Sequence, residues 1–550
     1  MQNWKQIHDT YLQKSQSSFS TISHDLDGMS PSLQNNLDTL NKVLGDNGDL
    51  VIRDFVLFGV HHAALVFFST LVNLETIQDH ILKPLMAKPA NLSDLPENID
   101  EINSYIWSNV VHVTKGKVSS DLASLPEDIV KGQLILFIDG GNQALTFDMR
   151  KIEQRGVEQP QTEQVIRGSR EGFVEKLENN LSLLRYRLQT PDFRIEISPL
   201  GTRTKSKVAM CYIEGITNKE LVAEVMRRIS LIDTDSIIDS GYIEQFIEDQ
   251  PLSPFPQVQN TERPDKTVAA LLEGRVAILV DGSPFSLIVP ALFNQFLQAL
   301  DDYTERFMIG SLLRIIRLLA LLFSLIFPAL YVSIISFNPE LMPTEFAVAI
   351  SGSRAGVPFP AVLEVLIMEV SMEILREATI RLPQKIGGAL SIVGVLVIGQ
   401  AAVAAGLASP ITVVVIALTT IGSFASPSYN EAISLRMLRF PIIFMAGMFG
   451  LLGVMIGMII ICNHLLYLES FGVPYMSPYV PGKWRDMKDT LVRAPLWWMH
   501  KRPSFLHVKD TIRTPKTMLK KHKDRIFQEG GEFNEELATD HQYPNDSSNG

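Results

Sequence analysis

A charged segment in the apolar second half of the chain holds the residues best suited to chemistry. Glu369, Glu373 and Arg376 are spaced at i, i+4 and i+7, so they share one face of a helix predicted over residues 361–382. Such carboxylates could concentrate cations, or they could pair with basic side chains such as Arg376 and Arg381. Because lipid would not tolerate these charges, this helix must line water, pack in a polar interface or lie at the membrane surface.

The sequence lacks the motifs that common enzyme classes require. It contains no HExxH, no GxSxG and no Walker loop. Cys211 and Cys462 are the only cysteines, and neither a disulfide framework nor a cysteine-based metal site is expected from them. His61 and His62 are adjacent on a predicted strand, where neighbouring side chains point to opposite faces. We therefore predict a protein that is not an enzyme and that uses no cofactor or metal.

A charge-free stretch follows the charged helix. Residues 386–430 contain no Lys, Arg, Asp or Glu over 45 positions, which indicates two membrane crossings with a break at the Ser-Pro pair 409–410. Small residues are dense in its first half, and small residues let helices approach closely. The glycines predicted to pack against a neighbouring helix are Gly388, Gly399 and Gly406.

Four segments are predicted to cross the membrane as helices. They cover residues 312–337, 387–409, 411–426 and 441–468. The segment 483–525 carries 13 Lys and Arg, and basic residues also precede the first crossing, so both chain ends are expected on the cytosolic side. The polar N-terminus predicts no signal peptide. The charged helix would then enter or skirt the membrane without crossing, and Arg436 and Arg439 would fall on the outside.

The first half of the chain alternates predicted strands and helices, which is typical of α/β domains. Two strands look like copies, because GQLILFIDG begins at Gly132 and GRVAILVDG begins at Gly274, an offset of 142 residues. A weaker pair matches residues 55–60 with residues 208–213. We infer two related cytosolic subdomains, and we interpret the Asp-Gly pairs as tight turns rather than phosphate-binding loops.

Composition divides the chain into six predicted regions. These are a flexible polar lead (1–48), α/β subdomain 1 (49–190), α/β subdomain 2 (191–311), a membrane domain (312–470), a basic cytosolic tail (471–525) and a disordered acidic tail (526–550). The Trp497-Trp498 pair and the basic residues of the tail suit an anionic membrane surface. The net charge of −11 implies no general attraction to nucleic acid.

Several stretches resemble the A subunit of the spore germinant receptors, the GerA family. The most specific is SGSRAGVPFPAVLEVLIMEVSMEILREATIRLPQKIGGALSIVGVLVIGQAAVAAGLASP at residues 351–410. The others are FASPSYN at 424–430, RPSFL at 502–506, and IDGG and VDGSP in the first half. The resemblance covers about residues 45–510, and the polar lead and the acidic tail depart from it.

The resemblance implies a role in the germination of dormant endospores at the spore inner membrane. Family members act with a transporter-like B subunit, thought to bind the nutrient, and with a lipoprotein C subunit. The A subunit is expected to form a homo-oligomer, a pentamer, that opens as a nutrient-gated ion channel. Its soluble part is expected to be a pair of α/β subdomains.

One face of the helix predicted over 387–409 would line such a pore. The positions on that face are Val393, Val397, Gln400 and Ala404. A mainly apolar ring can stay dewetted and closed, and Glu369 and Glu373 would concentrate cations near its mouth. Alternatively, the helix only packs tightly and the acids are paired, or the subunit is a non-conducting scaffold that relays nutrient binding. The residues alone favour tight packing, whereas the resemblance favours the pore.

Overall fold

The computed structural model describes residues 28–88, 96, 98–150, 160–381, 397–483, 485–515 and 517. These residues form two compact units. The first, here called the α/β unit, comprises the described residues of Met1–Gln164, Ser169–Ile247 and Asn260–Ile288; the second, here called the helical unit, comprises those of Val165–Gly168, Glu248–Gln259 and Val289–Gly550. The predicted acidic tail 526–550 and most of the predicted polar lead lie outside the described residues.

Two five-stranded sheets confirm the predicted N-terminal α/β region. The first contains β1 (Leu50–Leu57), β2 (His61–Phe68), β3 (Gly116–Ser119), β4 (Gln133–Ile138) and β5 (Ala144–Asp148). The second contains β6 (Phe193–Leu200), β7 (Ser206–Ile213), β8 (Gln259–Thr261), β9 (Val276–Val280) and β10 (Ser286–Val289). Their strand orders are β1-β2-β4-β5-β3 and β6-β7-β9-β10-β8, so the second sheet repeats the topology of the first.

The two strands that matched in sequence occupy the same place in the two sheets. GQLILFIDG forms β4 and GRVAILVDG forms β9, each third in its sheet. The weaker match is wrong, because residues 55–60 begin on β1 whereas residues 208–213 lie on β7, the counterpart of β2. Neighbouring antiparallel strands that share one core carry similar apolar patterns, so the pattern alone does not distinguish them.

Each Asp-Gly turn caps the helix that opens its half of the α/β unit. Asp139 Oδ1 accepts a hydrogen bond from Leu33 N at 3.0 Å, and Asp281 Oδ1 accepts one from Leu177 N at 3.1 Å. The glycine after each aspartate has a positive φ, of 86° and 94°, which a residue with a side chain rarely adopts. Each aspartate is therefore bound to a backbone N–H group of this chain, which agrees with the interpretation of the Asp-Gly pairs as turns.

Nine helices accompany these sheets in the described residues. They are α1 (Leu33–Leu44), α2 (Leu74–Ile77), α3 (Lys83–Met86), α4 (Ile99–Tyr105), α5 (Leu125–Val130), α6 (Leu177–Arg187), α7 (Lys219–Ser230), α8 (Ser240–Ile247) and α9 (Pro264–Glu273). A π-helical turn, Gln78–Leu82, joins α2 to α3, and another, Ile106–Val110, extends α4. In α7, Leu221, Val225 and Ile229 are buried at every fourth position, and the Asn218 side chain caps the first turn.

A buried ion pair joins the two halves of the α/β unit. Arg185 on α6 is fully buried, and its Nε and Nη2 each donate to a carboxylate oxygen of Asp49 at 2.6 Å. The guanidinium also lies 3.7 Å from the centre of the Phe68 ring. This geometry satisfies both charges without water, so each depends on the other.

Replacing Arg185 with alanine is expected to destabilise the α/β unit by roughly 3–5 kcal/mol, because Asp49 would stay buried without its partner. Lys83→Ala is the matched control, since Lys83 and Asp79 pair at the surface, with side chains 75% and 57% exposed. Its expected cost is below about 1 kcal/mol. Hydrogen exchange of β1 and β6 in the full chain measures both effects, and equal exchange in the two variants would refute the assignment.

The helical unit contains seven further helices. They are α10 (Phe293–Phe296), α11 (Asp301–Thr304), α12 (Phe307–Phe337), α13 (Thr344–Arg354), α14 (Ala361–Ile380), α15 (Pro410–Ser423) and α16 (Tyr429–Tyr467). Residues 397–404 are also helical, while residues 382–396, where much of the second predicted crossing falls, lie outside the described residues. A short hairpin of β11 (Glu469–Ser470) and β12 (Val473–Pro474) follows α16.

Helix α16 reverses direction at Gly450, where φ is 60° and ψ is −141°. A Cβ built on Gly457 would lie 3.4 Å from Ile442 Cγ1, although 15 residues of straight helix would separate them by about 22 Å. Ser434 and His464, on opposite sides of the turn, bind the adjacent residues Pro254 and Ser253. The predicted single crossing over 441–468 is therefore wrong: α16 is a hairpin with limbs 429–449 and 451–467.

The other predicted crossings have different outcomes. Helix α12 is 31 residues long and contains the first predicted crossing, 312–337. Helix α15 has 14 residues, about 21 Å, which is shorter than the hydrocarbon core of a bilayer. Both α12 and α16 have the length and apolar composition of a membrane-crossing helix, but the reversal at Gly450 makes α16 two limbs and not one crossing. The described residues therefore do not confirm the four predicted crossings.

Candidate functional site

The charged helix α14 packs inside the helical unit and runs antiparallel to the 429–449 limb of α16. At one end, a Cβ on Gly447 would lie 2.6 Å from Val362 Cγ2. Further along, Arg439 Nη1 donates to Glu369 Oε2 at 2.7 Å. Of the alternatives predicted for this helix, the structure shows packing in a polar interface, in which a basic face of α16 covers its acids.

We call the paired charges between these helices the charge seam, which consists of Glu369, Glu373, Arg376, Arg436 and Arg439. Arg439 and Glu369 are almost fully buried, with side chains 3% and 5% exposed. Glu373 lies 2.9 Å from Arg376 Nη1 and 3.6 Å from Arg436 Nε, and its side chain is 46% exposed. The charge seam is therefore buried at its Glu369 end and accessible to solvent at its Glu373 end.

A third acid of α14, Glu364, lies near the start of that helix and binds residues of neighbouring segments. Glu364 is fully buried and accepts hydrogen bonds from Arg354 Nη2 at 2.8 Å, Ser409 N at 3.1 Å and Thr412 Oγ1 at 2.9 Å. The Tyr331 hydroxyl lies 2.9 Å from Thr412 Oγ1. A carboxylate is favoured at a helix N-terminus, so Glu364 stabilises the start of α15 and links it to α14 and α12.

The predicted pore-lining face is partly described. On the helical segment 397–404, Val397 is 54% exposed, and Gln400 and Ala404 are also exposed. Val393 lies outside the described residues. The opposite side of the segment is covered, because Ala402 is buried.

The glycines predicted to pack between helices lie where close contacts occur. Gly399 is buried, and a Cβ there would lie 3.2 Å from Val413 Cγ1 on α15. Gly406 has a φ of 67°, and a Cβ there would lie 3.2 Å from the carbonyl oxygen of Gly356. Gly388 lies outside the described residues.

The sequence identified one partner of the acids and missed two. Glu373 pairs with Arg376 at 2.9 Å, as predicted, but Arg381 pairs with Glu377 at 2.6 Å on an exposed surface. The principal partners, Arg436 and Arg439, precede the apolar part of α16. The sequence did contain a signal for this pairing, because two arginines beside an apolar membrane segment need acidic partners on another helix.

A second group of charges, here called the base cluster, was not predicted. Its members are Asp302, Arg314, Arg317, Asp489 and Arg493. Asp302 is fully buried and lies 2.9 Å from Arg314 Nε and 3.1 Å from Arg317 Nη1, while Arg314 Nη1 donates to Asp489 at 2.8 Å. Burial lowers the pKa of Arg493, and the Asp489 carboxylate acts in the opposite direction. The cluster holds residues near 490 against the start of α12.

Neither charged group has the chemistry of a catalytic or metal centre. Among the described residues, no group of three or more His, Cys, Asp or Glu side chains could hold a metal ion. The buried carboxylates are bound by arginines, which suits them to fixing helices rather than to moving protons. An apolar bundle with internal charges, preceded by an α/β region, defines the class as a membrane-associated multi-helix protein.

Comparison with known proteins identifies the family. Residues 38–505 match the family described as Bacillus/Clostridium GerA spore germination protein, and the chain belongs to this family. It is 42% identical over 490 residues to spore germination protein KA of Bacillus subtilis (strain 168), with 89% of each chain covered. It is also 42% identical over 475 residues to the uncharacterized membrane protein YfkQ of the same organism, covering 86% of this chain and 91% of that one. The resemblance seen in the motifs is thereby confirmed.

A solved structure is also similar. It is the N-terminal domain of the A subunit of the Bacillus megaterium spore germinant receptor GerK3, with 35% sequence identity and a TM-score of 0.39. The match covers 49% of this chain and 99% of that chain.

Proposed function

We propose that this chain is the A-type subunit of a nutrient-responsive spore germination receptor, and that copies of it assemble into a cation channel. Nutrient binding to the complete receptor would open the channel and start ion release. Membership of the GerA family supports the receptor role. We place the chain in the spore inner membrane with both termini on the core side, beside a transporter-like B subunit and a lipoprotein C subunit.

The observation that carries the channel proposal is the exposed face of segment 397–404. Val397, Gln400 and Ala404 are exposed on one side, while Gly399 and Ala402 are buried on the other. A face that combines alanine with a glutamine suits neither lipid nor a tight single-chain core. Around the axis of a homo-oligomer, for which we favour a pentamer, it would form a narrow and mainly apolar constriction.

The charge seam gives this constriction its support and its ion preference. The seam and Glu364 lock α14, α15 and α16 together, and Gly399 packs on α15, so movement of these helices would move the segment. Glu373, at the accessible end, would raise the local cation concentration. Glu369 would act mainly by holding Arg439, since both are buried.

Val397→Ser is expected to increase basal ion flux, because a hydroxyl in an apolar constriction favours wetting. Val414→Ser is the matched control: Val414 is 57% exposed on α15, close to the 54% of Val397, but outside the proposed face. The measurement is cation release from liposomes that contain the complete receptor, with and without nutrient. Glu373→Gln should lower nutrient-evoked cation flux in the same assay. If Val397→Ser and Val414→Ser behave alike, segment 397–404 does not line the pore.

A second candidate function is a non-conducting scaffold that relays nutrient binding from the transporter-like partner. It is favoured by the buried 2.7 Å ion pair between Glu369 and Arg439, because a fixed connection between α14 and α16 is what a rigid relay needs. In this case the liposomes would show no nutrient-dependent flux that changes with Val397 or Glu373, although spores carrying the same variants would germinate.

A further inference from the structure

The segment 485–515, here called the tail segment, lies where α12 begins. Ser311, near the start of α12, accepts a hydrogen bond from Arg493 N at 3.0 Å and donates one to Arg493 O at 3.2 Å. The base cluster adds ion pairs at the same level, including the 2.8 Å contact between Arg314 and Asp489. If α12 crosses the bilayer, this part of the tail segment therefore lies at the height of the lipid headgroups.

The tail segment exposes large apolar side chains at this height. Val492 is 59% exposed, Leu496 is 53% exposed and Trp498 is 45% exposed. The Trp497 and Trp498 rings stack with centroids 6.0 Å apart, and Lys488 Nζ lies 5.8 Å from the centre of the Trp498 ring. Tryptophan beside lysine is typical of the membrane–water interface, where the ring meets the acyl boundary and the ammonium meets phosphate.

The exposed charges of the tail segment are mostly basic. Each of its three acids has a partner, because Asp486 accepts from Ser504, Asp489 pairs with Arg314, and Asp510, whose side chain is 50% exposed, pairs with Arg502. The basic side chains on its surface include Arg485, Lys501 and Arg513, which are all exposed. The outward face is therefore positively charged around exposed apolar groups, which complements an anionic lipid surface.

We propose that the tail segment is a peripheral membrane-binding element that follows the transmembrane helices. Trp498, Leu496 and Val492 insert among the lipid headgroups, and the surrounding lysines and arginines bind anionic lipid phosphates. Because the base cluster ties the segment to α12, lipid composition would act directly on the start of that helix. This inference does not depend on the chain being a channel, and it holds equally for a scaffold subunit.

The test uses the full chain in lipid nanodiscs whose acyl chains carry bromine, which quenches tryptophan fluorescence on contact. We expect Trp498→Phe to remove much of the bromine-quenchable emission. Trp107→Phe is the matched control, because Trp107 stacks on Phe147 in the α/β unit, with centroids 5.9 Å apart, and should contribute no quenchable emission. Equal quenching of the wild type and Trp498→Phe would overturn the proposal.

The electrostatic part is tested separately. In nanodiscs of phosphatidylcholine alone and of phosphatidylcholine with phosphatidylglycerol, the wild type should show greater quenching with the anionic lipid. The double variant Lys501→Gln and Arg513→Gln should lose that increase, since exposed basic side chains bind anionic headgroups. If an exposed cysteine placed at 498 instead crosslinks copies of the chain and is not reached by lipid, the surface is a protein interface and the proposal fails.

Discussion

Arg439→Ala is expected to lower the stability of the helical unit by roughly 3–5 kcal/mol, because it leaves the Glu369 carboxylate buried without its partner. The two side chains are 3% and 5% exposed and are joined at 2.7 Å. Thermal unfolding of the detergent-solubilised chain should detect this loss, and the amount of full-length protein in membranes should fall. Glu369→Ala should have a similar effect, since it leaves the arginine buried and uncompensated.

A double variant separates pairing from packing. Glu369→Leu combined with Arg439→Met removes both charges while keeping much of the volume, so it should recover most of the stability that either single change loses. The pair Glu377 and Arg381 is the matched control, since its side chains are 61% and 77% exposed at a distance of 2.6 Å. Arg381→Ala should cost less than about 1 kcal/mol. Additive losses in the double variant would show that the buried charges do not depend on each other.

Gly450→Val is expected to disrupt the α16 hairpin. The backbone there, with φ of 60° and ψ of −141°, strongly disfavours a side chain, and the strain alone is of order 1–3 kcal/mol. A Cβ would also lie 3.0 Å from Phe337 Cβ at the end of α12, which adds overpacking of about 1–3 kcal/mol. The hairpin would open, and the contacts of Ser434 and His464 with residues 253 and 254 would be lost.

The control for this change is Gly457→Ala, on the second limb of the hairpin. Its Cβ would meet Ile442 Cγ1 at 3.4 Å, an ordinary contact distance, so a small effect is expected. Thermal unfolding of the full chain compares Gly450→Val with this control. A cysteine pair placed at Ile442 and Gly457 then measures the reversal, with and without Gly450→Val. Crosslinking that survives Gly450→Val at the wild-type level would contradict the assigned turn.

The repeated sheet was predictable because its signal is local. An apolar strand followed by an Asp-Gly turn occurs twice, at β4 and at β9, and in both turns the glycine has a positive φ. The correspondence of β1 with β6 and of β2 with β7 was not predictable, because the strand order within each sheet depends on which strands meet in space. Asp139 and Asp281 also cap distant helices, a role that no local pattern indicates.

In the helical unit, hydropathy located the apolar segments but not their ends. It counts apolar residues, so it does not register that one glycine reverses the chain and turns a 39-residue run into two limbs. The acids of α14 were recognised as functional candidates, because charges in an apolar region require an explanation. Their partners on α16 are about 65 residues away in sequence, and only the antiparallel packing of the two helices brings them together.

The measurement that tests the central claim most directly is the current across a planar bilayer that contains the complete receptor. We predict that nutrient evokes a cation conductance, and that its amplitude or its closed-state leak changes with Val397→Ser but not with Val414→Ser. The contradicting result would be that the receptor restores nutrient-dependent germination to spores but shows no conductance in the bilayer. That result would contradict the channel and establish the chain as a relay between its partners.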